Sequence, residues 1–234
     1  MAIIDSLVSY YKLDESSGAV LDANGSNDGT NYGATPNVAG KINTAYDFDG
    51  SNDYISIPDD NTLDITSAIT LSAWVKLDST QSLYPAILVK GEIKDGATDS
   101  YGLRLATGDV QFIIYTGTFT ALAGTIDIKD NAWHYLVATY DGTNMRIYVD
   151  GEEDTTVAKT GNINTVALPL QIGQTYNHAG YFLDGLVDEV AIFNTALTST
   201  QITFLYNSGS GVPYPLTEGE EPPIKIFDVR FGWW

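Results

Sequence analysis

The sequence predicts an all-β fold: a two-sheet antiparallel β-sandwich (jelly roll) with one short C-terminal helix and an extended C-terminal arm. Three observations carry this reading. Apolar residues recur at period two in short runs rich in Val, Ile, Thr and Tyr, those runs are separated by Gly, Asn and Asp clusters, and only one segment has helical spacing. A parallel α/β fold would need helices between its strands, and the pattern offers none there.

Taken in order, strands are predicted at Tyr54–Ile57 and at residues 69–76, 110–116, 133–140 and 145–149. Asp141-Gly142 and Asp150-Gly151 are turn signals on either side of the last of these, so an antiparallel meander is expected. Within it Met145, Ile147 and Val149 are apolar while Arg146 and Tyr148 are amphipathic, which predicts one face on a core and one toward solvent. The helix begins near Thr198. Thr198 and Gln201 have capping-box spacing, Leu197 and Ile202 are placed as a hydrophobic staple, and Ile202, Leu205 and Tyr206 form a stripe that Gly209 would stop.

Composition then divides the chain. Residues 1–208 read as one domain, residues 209–223 as a Gly/Pro/Glu linker that packs no core, and residues 224–234 as an apolar, aromatic arm. The arm carries Ile226, Phe227, Phe231, Trp233 and Trp234. It reads either as a last strand returning to the sandwich or as an assembly arm that docks on other subunits by strand addition.

Eleven Lys and Arg against thirty Asp and Glu give a net charge of -19, which repels phosphate backbones and anionic bilayers. No nucleic acid partner is expected, and no apolar run is long enough for membrane insertion. With no Cys, thiolate metal sites and Cys nucleophiles are excluded. The start, Met1-Ala2-Ile3-Ile4-Asp5, shows no signal peptide.

Several segments carry a family resemblance: residues 7–18 (LVSYYKLDESSG), 45–55 (AYDFDGSNDYI), 133–142 (WHYLVATYDG), 147–151 (IYVDG) and 185–193 (GLVDEVAIF). In this order and spacing they resemble the laminin-G-like branch of the concanavalin A-like lectin and glucanase superfamily. The resemblance implies two antiparallel sheets in a jelly roll over residues 1–208 and does not reach the tail. Because that superfamily includes sugar-binding modules, adhesion domains, glucanases and structural spacers, function has to be argued from the site.

The glucanases of the superfamily carry paired carboxylates as Glu-x-Asp-x-x-Glu on one strand. No such segment is present, and the adjacent acids Glu152-Glu153-Asp154 and Asp188-Glu189 would point to opposite faces in an extended strand. No enzymatic activity is therefore expected. His134, at a strand start, is read as structural. The loop residues Tyr176, Asn177, His178 and Tyr181 mix flat and hydrogen-bonding side chains suited to sugar rings, and the bland alternative is a solvated turn. Tyr84 and Tyr101 are also expected in loops, whereas Tyr10, Tyr46, Tyr135, Tyr140, Tyr148, Trp74 and Trp133 are expected in the core.

Residues 14–28 supply Asp14, Glu15, Asp22, Asn24, Asn27 and Asp28 among glycines, a donor set that reads as calcium ligands or as Asx-turns shaping a loop. The resemblance implies one structural Ca2+ at the sandwich edge, with Asp188 joined by Asp22 and Asn24. The expected function is a non-enzymatic recognition or display module that binds a glycan or cell-surface ligand. It would sit outside the cell or on a virion surface, attached to a larger assembly such as a phage virion or tail through its arm. The alternatives are a carbohydrate-binding module of a secreted bacterial protein and, least favoured, a glycoside hydrolase.

Overall fold

A computed structural model describes residues 2–78, 81, 84–93, 96–106, 109–177 and 180–217. The strands, in chain order, are β1 (Leu7–Tyr11), β2 (Ala19–Val20), β3 (Gly29–Tyr32), β4 (Thr35–Ala39), β5 (Thr44–Asp49) and β6 (Tyr54–Ile57). Then follow β7 (Ile69–Leu77), β8 (Ala86–Gly91), β9 (Asp99–Ala106), β10 (Asp109–Tyr115) and β11 (Phe119–Ala123). The last are β12 (Trp133–Tyr140), β13 (Asn144–Val149), β14 (Glu152–Ala158), β15 (Leu170–Ile172) and β16 (Asp184–Phe193), before helix α1 (Ser199–Tyr206).

Two antiparallel eight-stranded sheets form the expected sandwich. Sheet one runs β14-β13-β12-β7-β16-β5-β4, with β1 also paired to β16; sheet two runs β11-β10-β9-β8-β15-β6-β3-β2. Between them lies a core that includes Phe48, Ile55, Leu71, Val75, Leu103, Phe112, Leu136, Ile147, Val187 and Ile192. These residues alternate along their strands because only every second side chain faces the opposite sheet.

Sheet one has a second apolar layer on its outer face, where Ile3, Tyr10, Trp74, Tyr135, Tyr148, Phe193, Ile202, Leu205 and Leu216 pack together. This explains why β7, ITLSAWVKL, is buried almost throughout. Ile69, Leu71, Ala73, Val75 and Leu77 face the inter-sheet core, and Trp74 faces the outer layer. The outer layer also corrects the expected solvent face of β13, since Tyr148 is only 5% exposed beneath it. Tyr101 is corrected as well: it lies in β9, fully buried, its hydroxyl donating to the Leu63 carbonyl at 3.0 Å.

Helix α1 closes this layer. The Thr198 hydroxyl accepts from the Gln201 N–H at 3.3 Å and the Gln201 side chain returns to the Thr198 N–H at 3.0 Å, a cap contributing about 1 kcal/mol. Leu197 and Ile202 are both buried in the outer layer. The helix ends at Asn207, left-handed at φ +49°, rather than at Gly209. Asn tolerates that conformation better than most residues, so the chain turns two positions early.

The expectation of an unpacked linker from residue 209 does not hold over its first part. Val212 and Tyr214 pack against the outer layer and Leu216 is 3% exposed within it, beside Tyr10 and Trp74. Alternate apolar residues in this Gly- and Pro-containing stretch find the open outer face of sheet one and cover it as a strap. The chain from Glu218 onward, and with it Ile226, Phe227, Phe231, Trp233 and Trp234, lies outside the described residues.

Candidate functional site

The chain between β15 and β16 is a hairpin that springs from the end of sheet two. Its base is closed by the Leu183 N–H donating to the Gly173 carbonyl at 2.9 Å and by a bridge between Gln174 and Phe182. Gly173 is required there, because its φ is +87° and a Cβ would fall 2.5 Å from the Phe48 ring. Near the tip, the Asn177 amide donates to the Glu92 carboxylate at 3.0 Å, tying the hairpin to the residue after β8. Tyr181 returns to meet Tyr84 edge-on, with ring centroids 5.4 Å apart and planes at 82°. The Arg104 guanidinium lies 4.8 Å from the Tyr84 centroid, and its Nε donates to Gln111 Oε1 at 3.3 Å.

Of the expected ligand-binding residues, Tyr181 therefore joins an aromatic cluster, Asn177 braces the loop and Tyr176 is half-buried beside it. His178 lies outside the described residues. Arg104 was not apparent from the sequence. The signal for it is an arginine, one of three in an acidic chain, at an outward position of a strand whose neighbours Leu103 and Leu105 face the core.

The expected calcium ligands do not converge on one point. Asp22 Oδ1 accepts from the Tyr10 and Asn24 N–H groups at 2.9 and 3.1 Å, and Oδ2 accepts from the Asn27 N–H at 3.2 Å. The Asn24 amide donates to the Leu7 carbonyl at 2.7 Å. These bonds are the loop-shaping alternative, and they fasten residues 22–27 to β1. Asp188 serves another turn: its Oδ2 accepts from the Lys41 and Ile42 N–H groups at 2.8 and 2.9 Å. Among the described residues no three His, Asp or Glu side chains form a metal-ligand set. The three residues thus do not fit a calcium ion as a set; the spot nearest to one is Asp188 Oδ1, buried without a hydrogen-bond partner.

Asp188 and Glu189 are both buried, at 0% and 4% exposure, instead of straddling the sheet. A bulge between Asp188 and Ala191 and a left-handed Glu189, φ +51°, turn Glu189 to the outer layer, where it accepts from the Tyr10 hydroxyl. Burial, with the charges of Asp188 and Asp14 adding, pushes Glu189 up to about 8; burial likewise pushes Asp188 up to about 7 against the backbone N–H groups that favour its charged form. Glu189 lines a cavity of about 10 Å³ with Tyr10, Ser72, Trp74 and Leu216. That is room for about one water and not for a sugar ring.

Two other charged groups are structural. His134 sits between Asp150 at 2.8 Å and Asp130 at 3.1 Å, as expected for a framework position. Lys90, fully buried, reaches Asp59 Oδ1 at 2.5 Å and the Leu168 carbonyl at 3.0 Å. A separate open groove of about 610 Å³ is lined by Asp14, Glu15, Asp22 and Asp28, with Leu21 and Tyr214 as its apolar wall.

A family model described as the concanavalin A-like lectin/glucanases superfamily, of laminin-G-like type, matches residues 49–203. No curated protein sequence matches the chain. Among solved structures, it is similar to the binding domain of Paraclostridial Mosquitocidal Protein 1, with TM-score 0.73 and 14% identity over 88% of this chain and 53% of that one. It is also similar to the receptor binding domain of botulinum neurotoxin C/D mosaic serotype, with TM-score 0.69 and 16% identity over 88% and 52%. Domain 4 of AbnA, an extracellular arabinanase from Geobacillus stearothermophilus solved with arabinotriose, gives TM-score 0.67 and 20% identity over 85% of this chain and 97% of that one. The chain thus spans about half the length of the toxin chains and nearly all of the arabinanase domain, and at these identities the likeness is one of fold. The family match covers more than half of the sequence and takes in strands β6 to β16, so the chain belongs to the concanavalin A-like lectin/glucanases superfamily.

Proposed function

We propose that the chain is a non-enzymatic recognition module that binds a glycan, or a cell surface bearing one, at the Tyr84–Tyr181–Arg104 cluster. The single observation that carries this is the cluster itself: two half-buried tyrosine rings and a guanidinium held together at the end of a rigid sheet. Flat rings take the C–H faces of sugars, and the neighbouring Arg104 and Gln111 offer hydrogen bonds to hydroxyls. The buried acids do not favour hydrolysis, because Glu189 lines a cavity too small for a substrate and Asp188 is bound to the Lys41 and Ile42 N–H groups. A net charge of -19 favours neutral glycans over sulfated or sialylated ones.

In this reading the module works outside the cell or on a virion surface, and the segment with Ile226, Phe227, Phe231, Trp233 and Trp234 attaches it to a larger assembly such as a phage particle. The support for attachment is the composition of that segment. The second reading, a carbohydrate-binding module of a secreted bacterial protein, is favoured by the similarity to the arabinanase domain solved with arabinotriose.

A glycan array followed by calorimetry on the hits tests the binding reading. Neutral glycans are expected to bind, and the double variant Y84A/Y181A to bind at least tenfold more weakly while still unfolding cooperatively, with a melting temperature lowered by no more than a few degrees. Silence across the array, or equal binding by the variant, would overturn it. Mass photometry of chains with and without residues 224–234 separates the two attachments: loss of the assembly on deletion supports the arm, and a monomer in both favours the secreted module.

A further inference from the structure

We infer that the stacked pair Tyr32–Tyr54 is a second subsite for the same ligand, so that the module reads a linear, neutral polysaccharide chain along one end of sheet two. This rests on the glycan reading above. Tyr32 and Tyr54 are cross-strand partners on β3 and β6, their rings 4.6 Å apart and within 10° of parallel. Tyr32 is 47% exposed although Tyr54 covers one of its faces. A parallel stack holds the outer ring in one orientation at little entropic cost to a ligand, and leaves its other face open to a sugar ring.

The register places this pair in line with the first cluster. Tyr32 pairs with Tyr54, Ile55 with Ile172, the following Gly173 donates to the Ile87 carbonyl, and the adjacent Ala86 pairs with Arg104. Tyr32, Tyr54, Gly173 just past the end of β15, Ala86 and Arg104 thus form a row across β3-β6-β15-β8-β9 at the same end of the sheet. Four strand spacings separate the ends of this row, roughly 19 Å. That span exceeds a single sugar ring and suits several joined units. Asp53, next to Tyr54, and the overall negative charge oppose a uronic or sulfated chain, which leaves a neutral one.

The test is calorimetry with arabinan-, xylan- and cellulose-derived oligosaccharides from dimer to hexamer, on the full chain and on Tyr32→Ala and Tyr32→Phe. Affinity is expected to rise about tenfold from dimer to hexamer. Tyr32→Ala should lose that rise while binding the dimer as before, Tyr32→Phe should keep it, and the exposed site should leave the melting temperature unchanged. Length-independent binding that Y84A/Y181A abolishes, or a Tyr32→Ala that binds every length like the parent, overturns the second subsite alone. No binding by any oligosaccharide of the three series overturns the subsite for these chains, and the array decides whether the glycan reading falls with it.

Discussion

Replacing Glu189 with Gln isolates the cost of a carboxylate that folding has sealed under the strap. In the unfolded chain this group titrates near 4.5, whereas in the fold burial raises it to about 8. Below pH 4.5 both states hold the proton and the carboxyl costs nothing. As pH rises toward 8 the unfolded chain releases its proton while the folded one keeps it, so stability falls through that window and levels off above it. At about 1.4 kcal/mol per pH unit of separation, the penalty is on the order of 4 kcal/mol at pH 8 and under about 1 kcal/mol at pH 5. Gln retains an acceptor for the Tyr10 hydroxyl and cannot ionise. The variant should therefore melt near the parent at pH 5 and on the order of 10 °C above it at pH 8, taking ~2–4 °C per kcal/mol for a chain of this size. The charges of Asp188 and Asp14 help raise Glu189, so the comparison reports Glu189 together with its coupling to those acids. Thermal melts by circular dichroism across this range decide the matter, and a parent–variant difference that does not change with pH would refute the burial of an ionisable Glu189.

Truncation probes the strap directly. A chain ending at Ser208 should be roughly 3–5 kcal/mol less stable in urea than one ending at Thr217, because loss of Val212, Tyr214 and Leu216 leaves Tyr10 and Trp74 uncovered. Equal midpoints for the two truncations would show that the strap contributes no packing. The unpartnered Asp188 Oδ1, with its carboxyl raised to about 7, is expected to carry a proton in most molecules at about pH 6, so millimolar calcium or EDTA at that pH should leave the melting temperature unchanged; a rise of several degrees that Asp188→Asn removes would show a cation there instead. His134 is raised by its bonds to Asp150 and then Asp130, so its contribution is present below the unfolded value of 6.5 and fades as pH climbs through the folded one. His134→Gln should lower the melting temperature by a few degrees at pH 5.5 and by less at pH 8.5, and a constant loss would argue against charged His134.

The sandwich, its strands and the capped helix are legible in the sequence because each depends on neighbours in the chain. Period-two runs, Asp-Gly turns and the Thr198–Gln201 spacing all act within a few residues. The same patterns misplace Tyr101 and turn Tyr148 toward solvent, because a strand's pattern does not reveal what covers its outer face. The acidic spacing of residues 14–28 leaves calcium ligands and Asx-turns as alternatives for the same reason: Asp22 gives its oxygens to the amides of residues 10, 24 and 27, contacts set by how the N-terminal loop folds onto β1.

Sequence alone, then, determined the fold class, the family and the acidic character that disfavours polyanions, since composition and local periodicity are properties of the chain. Only the tertiary structure decided which residues meet. It set Tyr84, Tyr181 and Arg104 together, aligned Tyr32 and Tyr54 across two strands, and sealed Glu189 beneath residues 212–216, because strand register and sheet order join positions that lie up to about 180 residues apart along the chain.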